Sequence, residues 1–440
     1  MGSFISLDWH WPKGTIRPLA DALSRKIIPV DAEAHSLDEI RLVTLHFDGE
    51  MEHRQQTGAN PIKGKLWWAD PGDVIYSKID VRNGAIGIVP NELGRVCVTS
   101  EYPVYAVDPA TADARYVKLL FRTNTFRRKI NGMISGASGR KRVQPTDLEE
   151  IKVPLPSLSI QRAIVSVWEQ AQAELAKTRQ HIAQLEADIE ADFLADLGLP
   201  KPKRATLPRI LAVWWKDLER WSVMFNQLAS GGVDISAGRF PVSPLAQCLT
   251  STTNGYCIKP VSQVTPYKML KLNALQPGGL DVSQSKFVKV TPKIAERFHI
   301  AKNDLLICRS VGSFDHVAKC ALVEEDHPDI LFPDIIIRVR FNARIDPRYA
   351  REVIQTSVGR AWFQKNARTA VGMWKIGGGD IEDFPMPLPP LPVQRELVAK
   401  IAVRREQIAA LKAQAAQKEE RAKAEVEAMV LGERLVPVRG

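Results

Sequence analysis

Val153-Pro154-Leu155-Pro156-Ser157-Leu158-Ser159-Ile160-Gln161-Arg162 returns as Met386-Pro387-Leu388-Pro389-Pro390-Leu391-Pro392-Val393-Gln394-Arg395, and each copy opens a long alanine-rich helical stretch. The repetition marks a tandem duplication of a domain-plus-helix unit. Upstream, Gly139-Arg140-Lys141-Arg142-Val143, Asp147-Leu148 and Ile151 align without a gap onto Gly372-Met373-Trp374-Lys375-Ile376, Asp380-Ile381 and Phe384. Further back, residues 71–78 align with 302–309, each a turn, an apolar strand and a closing cation, and residues 41–45 resemble 268–272. Two similar surfaces in a fixed relation suit a partner that itself repeats along an axis.

The stretches after each Gln-Arg are read as long helices. Ile164, Trp168, Ala171, Leu175, Thr178, Ile182, Leu185 and Ile189 follow alternating spacings of four and three, which is the a/d seam of a coiled coil. Leu397, Ile401, Ile408, Leu411, Ala415, Ala422 and Met429 continue the pattern in the second copy, with Arg404, Lys418 and Glu425 intruding at seam positions. Roughly thirty-five helical residues at about 1.5 Å each span about 50 Å, more than packing inside one domain requires. Two such helices, each leaving its domain through a stiff proline joint, are expected to pair antiparallel and act as spacers.

The segments between are rich in short β-branched and aromatic runs broken by Gly, Pro, Asn and Asp, with helical stretches such as 348–365. The expected fold class is therefore α+β, with two domains separated by two long helices that form an antiparallel coiled coil. The expected boundaries are a first domain over 1–153, a joint and helix over 154–198 and a linker over 199–210. A second domain over 211–386, a second joint and helix over 387–432 and a tail over 433–440 complete the division. The linker carries Pro200-Lys201-Pro202-Lys203-Arg204, which breaks the first helix. The glycine triplet Gly377 to Gly379 reads as a flexible joint before Asp380.

Composition excludes several classes. At 440 residues, 45% hydrophobic and 25% charged, the chain has room for two to three globular domains, and disorder is not expected. Sixty Lys and Arg against fifty Asp and Glu give +10, which favours a polyanionic partner. The opening residues carry no charged segment followed by an apolar core, and no apolar run is long enough to span a bilayer, so neither a secretory signal nor a membrane is expected. Five widely spaced cysteines with no C-x-x-C pair suggest neither a disulfide framework nor a zinc site, and fit a reducing cytoplasm.

No catalytic constellation stands out. Gly136-Ala137-Ser138-Gly139-Arg140-Lys141 has the wrong spacing for a phosphate-binding P-loop. Asn60-Pro61-Ile62-Lys63 lacks the second proline and the aromatic of an amino-methyltransferase motif, and reads as a turn. No acidic-x-Lys element follows Pro333-Asp334 to complete a nuclease metal site. His10, His46 and His53 near the N-terminus are placed to approach one another, although lone surface or core histidines are the commoner case. No metal and no cofactor site is expected.

Basic loops are easier to place. From Phe121 to Arg142 the chain carries Arg122, Arg127, Arg128, Lys129, Arg140, Lys141 and Arg142 with no acidic residue, which suits phosphate positioning. The equivalent stretch of the second half holds Arg360, Lys365, Arg368, Trp374 and Lys375. Lys63, Lys65, Lys78, Arg82 and Asn83 in the first half, and Asn254, Tyr256, Lys259, Arg309 and Ser310 in the second, fall in loops or strand ends where Arg or Lys can meet guanine and Asn adenine.

With its two proline-glutamine segments, each ending a variable domain and opening a long helix, the chain resembles the DNA-specificity subunit of Type I restriction-modification systems over essentially its whole length. The resemblance implies a non-enzymatic subunit with two target-recognition domains, each reading one half of a split asymmetric site in double-stranded DNA. It implies that the helices set the spacing and dock two methyltransferase subunits, with restriction subunits joining that core. S-adenosylmethionine, ATP and magnesium are then expected only in the partner subunits. The competing expectation is a coiled-coil scaffold for protein partners with incidental basic loops, and a solitary nuclease or methyltransferase ranks third.

Overall fold

A computed structural model describes residues 9–31, 41–54, 65–132, 142–200, 215, 226, 234–276, 278–370 and 372–436. The chain divides into two compact units, Met1–Gln180 with Lys412–Gly440, and His181–Leu411. Each unit contains one sheet-rich domain and one half of each long helix, so the division by compactness falls in mid-helix.

In the first unit, Ile16–Pro18 pairs antiparallel with Lys152–Pro154 and closes the domain onto its proline joint. A four-stranded antiparallel sheet runs in the order Leu23–Lys26, Val104–Val107, Val74–Tyr76, Ile86–Ile88. Beside it lie the pair Leu66–Ala69 with Val96–Thr99 and the hairpin Val43–Leu45 with Met51–His53. Helices Ala114–Arg122 and Asn124–Gly132 cover the core, which includes the fully buried Tyr76, Tyr105, Tyr116, Phe121 and Phe126.

In the second unit, Val242–Pro244 pairs with Pro385–Pro387 as its counterpart does in the first. One four-stranded sheet runs Leu249–Asn254, Ile336–Phe341, Leu305–Cys308, Cys320–Leu322, and a second runs Ser285–Val288, Tyr267–Leu270, His327–Leu331, His299–Ile300. Residues 348–365, expected as one helical stretch, form two helices, Pro347–Gln355 and Ser357–Asn366. The break is at Thr356, whose hydroxyl accepts from Gly359 N at 3.0 Å and so caps the second helix. Thr123 Oγ1 accepts from Phe126 N at 3.2 Å at the matching place in the first unit. Gly377–Gly379 is not a loose joint. Gly377 N donates to Asp380 Oδ2 at 2.7 Å and opens the short helix Gly378–Glu382, as Gln144 N donates to Asp147 Oδ2 at 2.7 Å.

The long helices are Leu158–Asp196 and Leu391–Leu431, 39 and 41 residues, or about 58 and 61 Å at 1.5 Å per residue. In the first unit Ile164 and Val165 share a buried cluster with Val426, Met429 and Val430, while Glu174 meets Lys418 at 3.7 Å and Arg179 meets Glu419 at 2.8 Å. Numbers fall on one helix as they rise on the other, so the pair is antiparallel. In the second unit Asp192 pairs with Arg404, Asp196 with Lys400 at 3.3 Å, and Phe193 and Leu194 join Leu397 and Ile401 in the core.

Among the ten principal seam residues, Ile164, Leu175, Ile182, Leu397, Ile401 and Ile408 are buried, and Trp168, Leu185, Ile189 and Leu411 are half-buried. The polar intruders are all paired: Arg404 with Asp192, Lys418 with Glu174, and Glu425 with Arg434 at 2.9 Å. A charge at a seam position is tolerated where its head reaches an opposite charge at the rim.

Both helices end alike. Gly198 and Gly432 take positive φ, +73° and +82°, conformations that favour glycine. Just before each, a carbonyl accepts from the start of a domain: Leu197 O from Arg239 N at 2.8 Å, and Leu431 O from His10 N at 2.7 Å.

Candidate nucleic-acid interface

The joints fix each domain through one glutamine. Gln161 is fully buried; its Oε1 accepts from Asp113 N at 2.9 Å, and its Nε2 donates to Thr111 O at 3.0 Å and Pro156 O at 2.8 Å. Gln394, 1% exposed, repeats this: Oε1 accepts from Asp346 N at 2.8 Å, and Nε2 donates to Arg344 O at 3.3 Å and Pro389 O at 2.8 Å. Asp113 and Asp346 are N-caps, each accepting from the amide two residues on at 2.9 Å. Tyr116 and Tyr349 then donate their hydroxyls to Pro154 O and Pro387 O, both at 3.0 Å. The glutamine thus ties the joint, the long helix and the first helix of the domain together.

The helix of the opposite half adds a second hold. In the first unit Glu427, on the second long helix, accepts from Asn124 N at 2.7 Å; in the second unit Glu190, on the first long helix, accepts from Ser357 N. Both carboxylates sit at a helix N-terminus, where free amides and the helix dipole favour negative charge.

On this frame the second unit gathers most of its candidate residues. A three-stranded antiparallel sheet joins Ser310–Val311, Met373–Lys375 and Arg368–Ala370, with Ser310 opposite Lys375, Val311 opposite Trp374, and Arg368 also opposite Lys375. Lys375 and Arg368 are exposed, Ser310 is buried, and Trp374 is half-buried with its ring edge-on to Phe314 at 4.7 Å between centroids. Arg368 reaches Asp380 Oδ1 at 3.5 Å, and Arg309 donates to Asp334 O at 3.2 Å. Asn254 and Tyr256 adjoin through the same backbone: Gly255 N donates to Ile336 O at 3.1 Å and Arg309 N to Ile335 O at 2.8 Å. The Tyr256 ring lies tilted against Phe298 at 5.2 Å between centroids, with the exposed Lys259 three residues on. Lys365 is half-buried on the helix Ser357–Asn366, apart from this sheet in sequence order.

The first unit is less complete, because Lys63, Arg140 and Lys141 lie outside the described residues. Lys78 and Arg142 come together around residues 100 and 101: Lys78 Nζ donates to Ser100 O at 2.7 Å, Arg142 pairs with Glu101 at 3.4 Å, and Val143 N donates to Lys78 O at 2.9 Å. The last bond matches Ile376 N to Arg309 O at 2.9 Å in the second unit. Arg82 and Asn83 are exposed on the turn Val81–Asn83, Arg127 and Arg128 are exposed on Asn124–Gly132, and Lys65 is exposed at a strand start.

Sequence reasoning missed several residues. Arg122 is not a surface phosphate ligand: its guanidinium donates to Phe47 O at 3.2 Å, to Gly84 O at 3.0 Å and to Ile86 O. Burial, with Arg127 nearby, draws its pKa down to about 10. It braces the turn that presents Arg82 and Asn83. Asp70 is likewise structural, its pKa lowered to about 2 chiefly by its bond to Arg95 at 2.6 Å, then by Lys26 at 2.6 Å. No sequence pattern marks Phe314 as the support of Trp374. The three histidines do not converge, since His10 meets Glu433 at 3.3 Å and His46 meets Glu52 at 3.2 Å. Among the described residues no group of three or more metal-ligating side chains is assembled, and no helix is long and apolar enough to cross a membrane.

Comparison with known proteins agrees with this architecture. Residues 69–187 match the Type I restriction modification DNA specificity domain. Over 281 residues, 64% of this chain and 56% of the relative, the chain is 23% identical to the Type I restriction enzyme EcoKI specificity subunit of Escherichia coli (strain K12). Over 287 residues, 65% of this chain and 57% of the relative, it is 19% identical to the Type I restriction enzyme StySPI specificity subunit of Salmonella potsdam. The matches thus span a little over half the length of these curated relatives. A solved chain from a study of complex assembly and conformational transition in the type I R-M system shares the fold, with TM-score 0.57 at 15% identity over 94% of this chain and 96% of that one. Residues 69–187 thus resemble the Type I restriction modification DNA specificity domain, the chain is similar in sequence to Type I restriction enzyme specificity subunits, and its fold is that of the solved type I R-M chain.

Proposed function

We propose that this chain is the sequence reader of a Type I restriction-modification complex, each domain recognising one half of a bipartite, asymmetric site in duplex DNA. The observation that carries the reading is the meeting of Ser310, Arg368, Trp374 and Lys375 in one small sheet, flanked by Arg309, in a unit anchored to the paired helices. Arg and Lys beside an aromatic and a hydroxyl supply phosphate contacts, base-edge donors and an apolar surface in one place. The helices then set the spacing between half-sites and seat two methyltransferase subunits, with restriction subunits joining that core. Methyl transfer from S-adenosylmethionine and ATP- and magnesium-dependent cleavage belong to those partners, so the chain itself is non-catalytic and works in the cytoplasm.

The test is a footprint of the chain with its methyltransferase partner on DNA carrying a site mapped from the methylome. Two protected half-sites separated by an unprotected spacer are expected. Charge reversal at Arg127, Arg128, Lys141 and Lys375 is expected to abolish that protection and its salt dependence. Uniform binding to every duplex overturns the reading, and so does full function of the charge-reversed chain, which would make the protein a scaffold.

A further inference from the structure

Half of the chain's excess positive charge lies in one short segment. From Gly255 to Lys293 there are six lysines, Lys259, Lys268, Lys271, Lys286, Lys289 and Lys293, and one acidic residue, Asp281. Six less one is +5, against +10 for all 440 residues. Asp281 is already engaged, accepting from Ser283 N at 3.0 Å and Ser283 Oγ at 2.6 Å in its own turn. Among the described residues none of the six ammonium groups is paired with a carboxylate; Lys268 lies over the Phe287 ring at 5.5 Å.

The fold places four of these lysines, Lys268, Lys271, Lys286 and Lys289, on one ribbon or at its ends. Tyr267–Leu270 pairs antiparallel with Ser285–Val288, Tyr267 opposite Val288 and Leu270 opposite Ser285. Ser285–Val288 is an edge strand of its sheet. Lys286 projects from that edge, Lys289 follows it, Lys271 follows its neighbour at the opposite end, and Lys293 stands in the first turn of the helix Pro292–Phe298. Five residue steps at about 3.3 Å separate the levels of Lys271 and Lys289, or about 17 Å, close to five base-pair steps along a duplex. The ribbon adjoins the candidate residue Tyr256, which packs with Ile258 in the same cluster as Met269, Val288 and Ala295.

We infer that this lysine-bearing ribbon is the DNA-backbone track of the second domain, seating duplex phosphates beside the cluster that reads the bases. The inference rests on the function proposed above and assigns the segment a role in position and affinity rather than sequence choice. Lysine suits that role, since its compact ammonium meets phosphate oxygens from many directions and lacks the planar fork that reads guanine in bidentate fashion. The competing explanation is protection of an exposed edge from strand addition, for which edge lysines are commonly used. That explanation accounts for Lys286 alone. It does not account for Lys271 and Lys293, which are off the edge, or for the scarcity of acidic residues, because mixed charges would protect an edge equally well.

The experiment uses the full chain with a mixed-sequence duplex of about 40 base pairs, several helical turns, and measures affinity against salt. Lys→Gln at 271, 286, 289 and 293 together is expected to flatten the slope of log affinity on log salt by roughly 3 to 4, about 0.9 for each phosphate no longer neutralised. The wild type then loses roughly a hundredfold more affinity between 50 and 200 mM salt than the variant. The ratio of site to non-site affinity stays constant. Lys→Arg at the same positions keeps the slope and shows that charge, not shape, is read. An unchanged slope in a folded Lys→Gln variant overturns the inference, whether or not the variant self-associates through its bare edge. Arg309→Ala and Trp374→Ala, measured in parallel, separate this from failure of the proposed function: if they lose site preference while the lysine variant binds normally, DNA reading stands and the track falls. Polyglutamate displacing the duplex on an equal charge basis also overturns it, in favour of an acidic protein partner.

Discussion

Replacing Gln394 by alanine is expected to destabilise the second unit by about 3 kcal/mol. The side chain is 1% exposed and holds Asp346 N and Pro389 O at 2.8 Å, with a longer bond of 3.3 Å to Arg344 O. The two short bonds contribute about 1 kcal/mol each, and stranding a buried amide or carbonyl costs roughly 1–3 kcal/mol more. The small cavity adds to this, while the long bond counts for little. Gln161→Ala is expected to cost about the same, since its three partners lie at 2.9, 3.0 and 2.8 Å. Urea unfolding measures the loss: at a slope of about 3 kcal/mol per molar, the midpoint falls by roughly 1 M. Amide exchange at Asp346 should accelerate first, because the bond removed is its own. Gln394→Met, which keeps the bulk without the polar atoms, should recover only the cavity part. A change within about 0.5 kcal/mol, the scatter of surface substitutions, would refute the view that the glutamine fastens the domain to its helix.

Three further outcomes are expected. Tyr116→Phe and Tyr349→Phe each remove one buried hydroxyl donated to a joint proline carbonyl at 3.0 Å, and should each lower stability by about 1–2 kcal/mol in calorimetry. Glu352→Ala strips the buried partner of Arg405, bonded at 2.7 Å through both nitrogens, and of Arg351. Loss of one member of a buried pair costs about 3 kcal/mol, seen as an earlier unfolding midpoint whose salt dependence is not reproduced by Leu119→Ala, a truncation of a buried apolar side chain on the first unit's helix Ala114–Arg122. Asp70, with a pKa of about 2 when folded against 3.8 for the free group, contributes stability that is complete above pH 3.8 and fades as pH falls towards 2. Its side chain is 34% exposed, so screening limits the contribution to about 1 kcal/mol. Asp70→Asn should remove that slope from an acid titration of stability.

The duplication and the seam were legible because they repeat: an offset of 233 residues carries Gln161 to Gln394, Asp147 to Asp380 and Val143 to Ile376. Helical periodicity likewise marked Ile164 to Ile189 as one face. What could not be read was anything set by contacts distant in sequence. Arg122 looked like one more cation in an acid-free run, and only the turn at Gly84, brought against it by the fold, makes it a brace. The sheet that unites Ser310 with Lys375 joins segments sixty-five residues apart, a pairing that the repeat of residues 372–376 does not signal. Gly377 to Gly379 looked loose because glycine is permissive, yet Asp380 sits where it can fix the turn. The lysine ribbon was split in the sequence by the turn around Asp281, and of its strand Tyr267–Leu270 only Lys268 to Leu270 registered, as part of the repeat.

Most of the holds at the joints fall on main chain, the ion pair of Glu352 with Arg405 and the bond from Asn124 Nδ2 to Glu427 being side-chain exceptions. Gln161 and Gln394 grip amides and carbonyls, Glu427 and Glu190 grip the amides of Asn124 and Ser357, and Tyr116 and Tyr349 reach proline carbonyls. A peptide group is offered by any residue, so these fastenings are blind to most of the side chains of the domain they secure. The mounting therefore constrains the domain at few positions, chiefly a capped helix start and the tyrosine that follows it, and leaves the remaining surface of the domain free to vary.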